Sequence, residues 1–169
     1  HHGRHLCNRI AGRNPALMAE SEHFQQILPG LYLGGTPPIF DFEVNPRADF
    51  TEYEGLDYVF TFHKSSSAVV GGTVEIRYFF EDDWNYGLNA KDVPALTRLV
   101  DQAHELWKSG NHVLLRCQGG KNRSGLVAAS VLMREGYSAD DAIDLLREKR
   151  SQDVLFNEHF VEVLREGGL

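Results

Sequence analysis

Two hydrophobic periods divide this chain. Leu56-Asp57-Tyr58-Val59-Phe60-Thr61-Phe62 and Val74-Glu75-Ile76-Arg77-Tyr78-Phe79-Phe80 are short aromatic and β-branched runs that read as strands. Leu31 to Gly34 and His112 to Arg116 read the same way. The longer period begins after Asn89. Val93, Leu96, Leu99, Val100, Ala103 and Leu106 recur at intervals of three and four, which predicts a helix closed by Gly110. A second helical pattern starts at Ser124 and runs to Met133, with Gly136 as its stop. Ser138-Ala139-Asp140-Asp141 resembles a capping box leading into Ala142-Ile143-Asp144-Leu145-Leu146, and a last amphipathic helix carries Phe160, Val161 and Leu164. Between Gly34 and Gly55, Pro37, Pro38 and Pro46 predict a loop-rich segment with one short helix. His63 to Ala68 reads as a solvated polar loop. Strands alternating with helices indicate a single α/β layer domain.

The chemistry concentrates where the strand His112–Arg116 meets the next helix. Cys117-Gln118-Gly119-Gly120-Lys121-Asn122-Arg123 places a cysteine and an arginine six positions apart around a glycine-containing loop. Strand, loop and helix N-terminus make an anion-binding cradle, because loop N–H groups and the helix dipole both favour negative charge. The same field favours thiolate over thiol at Cys117. Arg123 offers a planar fork that matches two phosphoryl oxygens. An activated sulfur facing a bound phosphate is the layout of a nucleophilic phosphatase. Gly120-Lys121-Asn122 lacks the Gly-Lys-Ser/Thr of a nucleotide-binding loop. Beyond residue 17, no paired cysteines or His-x-x-x-His arrangement indicates zinc.

The loop resembles the active-site signature of the cysteine-dependent phosphatases, H-C-x2-G-x2-R-[ST], and most of all their compact dual-specificity branch. Leu28-Pro29-Gly30-Leu31-Tyr32-Leu33-Gly34 is similar to that branch's opening strand, and Phe79-Phe80-Glu81-Asp82 to the strand ending in its general-acid aspartate. Arg147-Glu148-Lys149-Arg150-Ser151, with Asn157 and Phe160, resembles its closing helical region. The resemblance implies a central, mostly parallel sheet flanked by helices. It implies that Cys117 is the nucleophile, that Arg123 and the amides of Gln118, Gly119, Gly120, Lys121, Asn122 and Arg123 bind phosphate, and that Asp82 is the general acid. Asp83 is the alternative acid, one residue along the same turn. Ser124 is placed to hydrogen-bond the sulfur or to cap the helix. Trp84 and Tyr86 are candidates for the pocket rim, whereas His104, His112 and His159 fall in structural segments. The implied substrate is a phosphorylated protein or peptide, and the mechanism needs no metal or organic cofactor. The chain departs from the family at Arg116, where histidine is usual. Strand alternation points Arg116 away from Cys117, and burial there demands an acidic partner.

Composition narrows the partners. His1-His2 and the acid-free stretch to Leu17 read as a tag or vector leader, which leaves residues 18–169 as the domain. Without Arg4, Arg9 and Arg13 the formal charge falls from −7 to −10, and Cys117 is the sole remaining cysteine. Such acidity argues against broad nucleic-acid binding, which depends on Lys and Arg. No run approaches the roughly 20 apolar residues of a membrane span, so the expectation is a soluble, cytoplasmic protein. Oligomeric state is not legible. Two other readings stay open: a phosphoinositide or RNA 5′-phosphatase of the same superfamily, suggested by Lys121 and by Asn122-Arg123-Ser124-Gly125, and a phosphate-binding module without turnover.

Overall fold

In the computed structural model, residues 23–36, 53–64, 69 and 71–169 are described. Residues 1–22, which include the stretch read as a leader, most of the proline-containing segment (37–52), the second part of the polar loop (65–68) and residue 70 lie outside them. The strands are β1 (Phe24–Leu28), β2 (Leu31–Gly34), β3 (Tyr58–Thr61), β4 (Val74–Arg77) and β5 (Val113–Arg116). The helices are α1 (Val93–Lys108), α2 (Arg123–Arg134), α3 (Ala139–Lys149) and α4 (Glu158–Arg165). The sheet runs β1-β2-β5-β3-β4, and only the β1–β2 pair is antiparallel. This is the mostly parallel α/β sheet the pattern and the resemblance anticipate. Its first strand was not anticipated. Phe24-Gln25-Gln26-Ile27-Leu28 reads poorly as a strand, yet Gly30 at φ +84° turns it back onto β2.

Two boundaries differ from the periodicity. The run Val74 to Phe80 is a strand only to Arg77, because its one neighbour, β3, ends at Thr61. Tyr78 makes a last backbone bond to Thr61, and Phe80 then turns inward between Phe62 and Phe160. On α1 the buried stripe is Leu96, Val100, Ala103 and Trp107, while Val93 is exposed. Trp107 is drawn in because its indole N–H donates to the Pro29 carbonyl at 2.9 Å. Ser138 does cap α3, accepting from the Asp141 N–H.

β5 lies at the centre of the sheet, and the residues on both its faces are buried. On one face Val113, Leu115 and Cys117 join Leu31, Leu33, Phe60 and Phe62 in the core beneath the helices. On the other, Leu114 packs with Phe24, Tyr32, Tyr53 and Val59. The period of two therefore sends Arg116 to the face opposite Cys117. There Arg116 is fully buried and partnered as its charge requires. Its Nη2 donates to Glu75 at 2.9 Å, Nε to the Thr61 hydroxyl at 2.9 Å, and Nη1 to the Tyr53 hydroxyl at 2.6 Å. Thr61 and Arg77 also donate to Glu75.

Burial pushes the Glu75 carboxyl up, but the bonds from Thr61, Arg77 and Arg116 outweigh it, and the net pKa is lowered. A carboxyl lowered on folding adds stability above its unfolded value of about 4.3, and that stability disappears as pH falls through the folded value. Replacing Glu75 with alanine removes the carboxylate that faces the buried Arg116 guanidinium and is expected to cost about 3 kcal/mol or more. Urea unfolding at neutral pH and near pH 4 checks this. Wild type is expected to lose stability between the two, and the variant to lose less.

Candidate active site

The loop after β5 leaves the carboxyl edge of the sheet, where open α/β folds place their ligands. Its shape is set by what its carbonyls touch. The Gln118 carbonyl accepts from Thr36 N–H, those of Gly119 and Gly120 from the Arg150 guanidinium, that of Lys121 from Leu155 N–H, and that of Asn122 from Leu126 N–H. Five successive carbonyls are thus turned outward onto protein donors. In a planar trans peptide the N–H points opposite to the C=O, so the amides of Gly119 through Arg123 face the other way, into the loop.

Cys117 is 3% exposed and lies at the base of this ring. Its backbone N–H bonds the Gly34 carbonyl, and its sulfur is 3.1 Å from the Ser124 hydroxyl. Ser124 is the second residue of α2, with Asn122 in the cap position and making no side-chain cap bond. The capping role expected of Ser124 is therefore replaced by contact with the sulfur and, at 3.4 Å, with the Gly34 carbonyl. Arg123 is held loosely, at 3.4 Å from the Phe80 carbonyl and 3.5 Å from His63 Nδ1. Its Nε is buried without a hydrogen-bond partner among the described residues. Burial lowers the pKa of His63, and the charges of Arg123 and then Arg77 lower it further. A neutral His63 is the form that can accept from Arg123.

Asp82 and Asp83 have separate surroundings. Asp83 accepts from the N–H groups of Asn85 and Tyr86 and shapes its own turn; those bonds lower its pKa. The Asp82 carboxylate instead accepts from the side-chain amides of Asn122 at 2.9 Å and Asn157 at 2.8 Å. It is thereby tied to Asn122 of the loop after β5, whose side chain serves this contact while its backbone amide belongs to the ring. Lys121 pairs with Asp153. Trp84 and Tyr86 are exposed, and Trp84 packs edge-on against Phe156 with ring centroids 5.2 Å apart. Of the histidines, His104 meets Glu135, His112 is buried beside Tyr32, and His159 packs near Gly87.

Sequence reasoning gave no role to Arg150, Asn157 or the glycine pair at the end of β2. Arg150 lies 30 positions from Gly120 yet also reaches the His23 carbonyl and the Gln25 side chain, joining β1 to the loop. Burial lowers its pKa, while attraction to Cys117 and Asp153 acts the other way. Asn157 carried one readable signal, as a helix cap ahead of Phe160 and Val161.

The pattern for the dual specificity phosphatase catalytic domain matches residues 44–168. The chain belongs to that family. The protein named Putative tyrosine phosphatase 123R of Invertebrate iridescent virus 6 is 34% identical over 73 residues, covering 42% of this chain and 50% of that protein. The chain therefore spans about half the length of this curated relative. Among solved structures, a mouse protein complexed with zinc tungstate superposes with a TM-score of 0.67 at 23% identity, covering 88% of this chain and 87% of the other. Human DUSP28 superposes with a TM-score of 0.65 at 21% identity, covering 85% and 90%. These two likenesses establish the phosphatase-like fold.

The two loop glycines of this dual-specificity domain offer a contrast. A side chain on Gly120, at φ +67°, would sit 2.4 Å from the Gly34 carbonyl carbon and 2.5 Å from Arg150, whereas one on Gly119 meets nothing within 4 Å. Gly120→Ala is expected to weaken orthovanadate binding by about tenfold or more, a loss of about 1.4 kcal/mol, and Gly119→Ala far less. Calorimetric titration of both variants checks it.

Proposed function

We propose that this domain hydrolyses phosphomonoesters through a cysteinyl-phosphate intermediate. The observation that carries the reading is the buried Nε–H of Arg123, unpartnered among the described residues, on the same loop that holds the Cys117 sulfur beside the Ser124 hydroxyl. A buried guanidinium N–H without an acceptor is costly, and a phosphoryl oxygen supplies one. In the first step the Cys117 thiolate forms an S–P bond as the P–O bond to the leaving group breaks. The departing electron pair takes the proton of Asp82, and inward amides with Arg123 stabilise the equatorial oxygens. In the second step water attacks phosphorus and loses a proton to the Asp82 carboxylate. The S–P bond breaks, and the Ser124 hydroxyl stabilises the returning thiolate.

Asp82 is preferred to Asp83 because its carboxylate reaches the phosphate loop through Asn122, while Asp83 spends its oxygen on a turn. The substrate class we favour is a phosphorylated protein or peptide bearing phosphotyrosine, phosphoserine or phosphothreonine. A polyphosphorylated substrate would call on Lys121, and Asp153 already neutralises that ammonium. The compartment we favour is the cytoplasm. Among the described residues no helix is long and apolar enough to cross a membrane.

The test is p-nitrophenyl phosphate turnover at mildly acidic to neutral pH without added metal. Cys117→Ser is expected to abolish it. Asp82→Asn is expected to lower turnover of phenyl phosphate by about 100-fold or more, in the range of general acid catalysis, and Asp83→Asn to cost far less. Turnover that survives Cys117→Ser overturns the mechanism.

A further inference from the structure

The candidate general acid is held by two asparagines from different segments, one just before α2 and one capping α4. Asn122 is 3% exposed and Asn157 is 2% exposed. Their amide orientations are dictated by their other bonds. Asn157 Oδ1 accepts from the His159 and Phe160 N–H groups at the start of α4, so its Nδ2 faces Asp82. Asn122 Oδ1 accepts from the Asn157 N–H at 2.9 Å, so its Nδ2 also faces Asp82. Each amide then donates to a different oxygen of the same carboxylate. Asn157 Nδ2 additionally donates to the Asp83 carbonyl at 3.1 Å, which fixes the main chain of the acid loop beside the carboxylate. The Trp84–Phe156 ring pair joins the same two segments one residue further out.

We infer that Asn122 and Asn157 are positioning residues for proton transfer by Asp82. This rests on the reading of Asp82 as the acid given above. A carboxyl group offers about four lone-pair directions, and two amide donors leave the others open. The clamp therefore fixes the carboxyl plane without consuming the oxygens that carry the proton. An acid loop ending in Trp84, Asn85 and Tyr86, all exposed, has little packing of its own to do this. General acid catalysis needs the donor within hydrogen-bond reach of the leaving oxygen, so a carboxyl free to rotate loses rate where the leaving group needs its proton most.

That dependence separates positioning from plain structural support. Loss of fold or of phosphate binding lowers kcat/KM for every ester alike. Loss of acid positioning lowers it for phenyl phosphate, a poor leaving group, more than for p-nitrophenyl phosphate, a good one. Asn157→Ser keeps a capping hydroxyl for α4 and removes the amide donor. It is expected to raise the p-nitrophenyl to phenyl ratio of kcat/KM about tenfold over wild type, part of the larger rise expected for Asp82→Asn. Asn157→Asp retains the cap oxygen and sets a carboxylate against Asp82; it is expected to move the ratio the same way, and it decides the matter if Asn157→Ser has lost its fold by circular dichroism. Equal losses on both esters, or no change in the ratio, while Asp82→Asn shows its steep dependence, overturn the positioning role alone. A flat ratio in Asp82→Asn overturns the acid assignment and this inference with it.

Discussion

The close approach of two backbones is the constraint on which the site depends. The end of β2 runs so near the phosphate loop that a Cβ on Gly35 would meet the Gln118 carbonyl oxygen at 2.6 Å, and one on Gly120 the Gly34 carbonyl carbon at 2.4 Å. This proximity follows from the sheet. β2 and β5 are parallel neighbours with Gly34 opposite Arg116, so the chain leaving β5 must pass the chain leaving β2. The two main chains then share bonds, Cys117 N–H to Gly34 and Thr36 N–H to Gln118. With Arg150 and Leu155 holding the next carbonyls, the loop presents free N–H donors as a helix start does. Its donors face inward because its acceptors are already committed outward.

Charge is sorted by the same sheet. Three arginines are divided between the two sides of β5. Arg116, on the face away from the sulfur, is matched by Glu75 and two hydroxyls and reads as an internal tie between β5, β3 and β4. Arg123 and Arg150 lie on the sulfur's side, one at the mouth of the loop and one behind it. A histidine at position 116 would carry less charge into that network. The arginine is tolerated because Glu75, on the edge strand β4 beyond β3, accepts from it. The family departure at this position thus bears on the stability of the sheet more than on the surroundings of the Cys117 sulfur.

The acid loop shows a different economy of structure. It contributes little buried surface, and its two aspartates divide the work: Asp83 makes the turn, and Asp82 faces the loop and the cap of α4. Asn157 serves helix, acid loop and phosphate loop together. That concentration of bonds on one buried amide makes the site a single cooperative unit, assembled from segments 35 and 75 residues apart from Asn157.

The strand–loop–helix unit was readable from the sequence because everything that defines it is local. A C-x5-R spacing, an apolar strand before it and helical periodicity after it fall within a short stretch, and short-range geometry allows few alternatives. The α/β alternation and the Ser138 cap were readable for the same reason. What the tertiary structure decided was every pairing across the fold. Phe24–Leu28 is a strand only because β2 lies beside it, and Val74–Phe80 stops at Arg77 only because β3 does. Arg116 required an acidic partner by rule, but only the register of β3 and β4 makes it Glu75. Asp82 and Asp83 are equivalent as neighbours in a sequence. They differ once Asn122 and Asn157 arrive from elsewhere, because hydrogen-bond direction is set by atoms in space and periodicity carries no information about them.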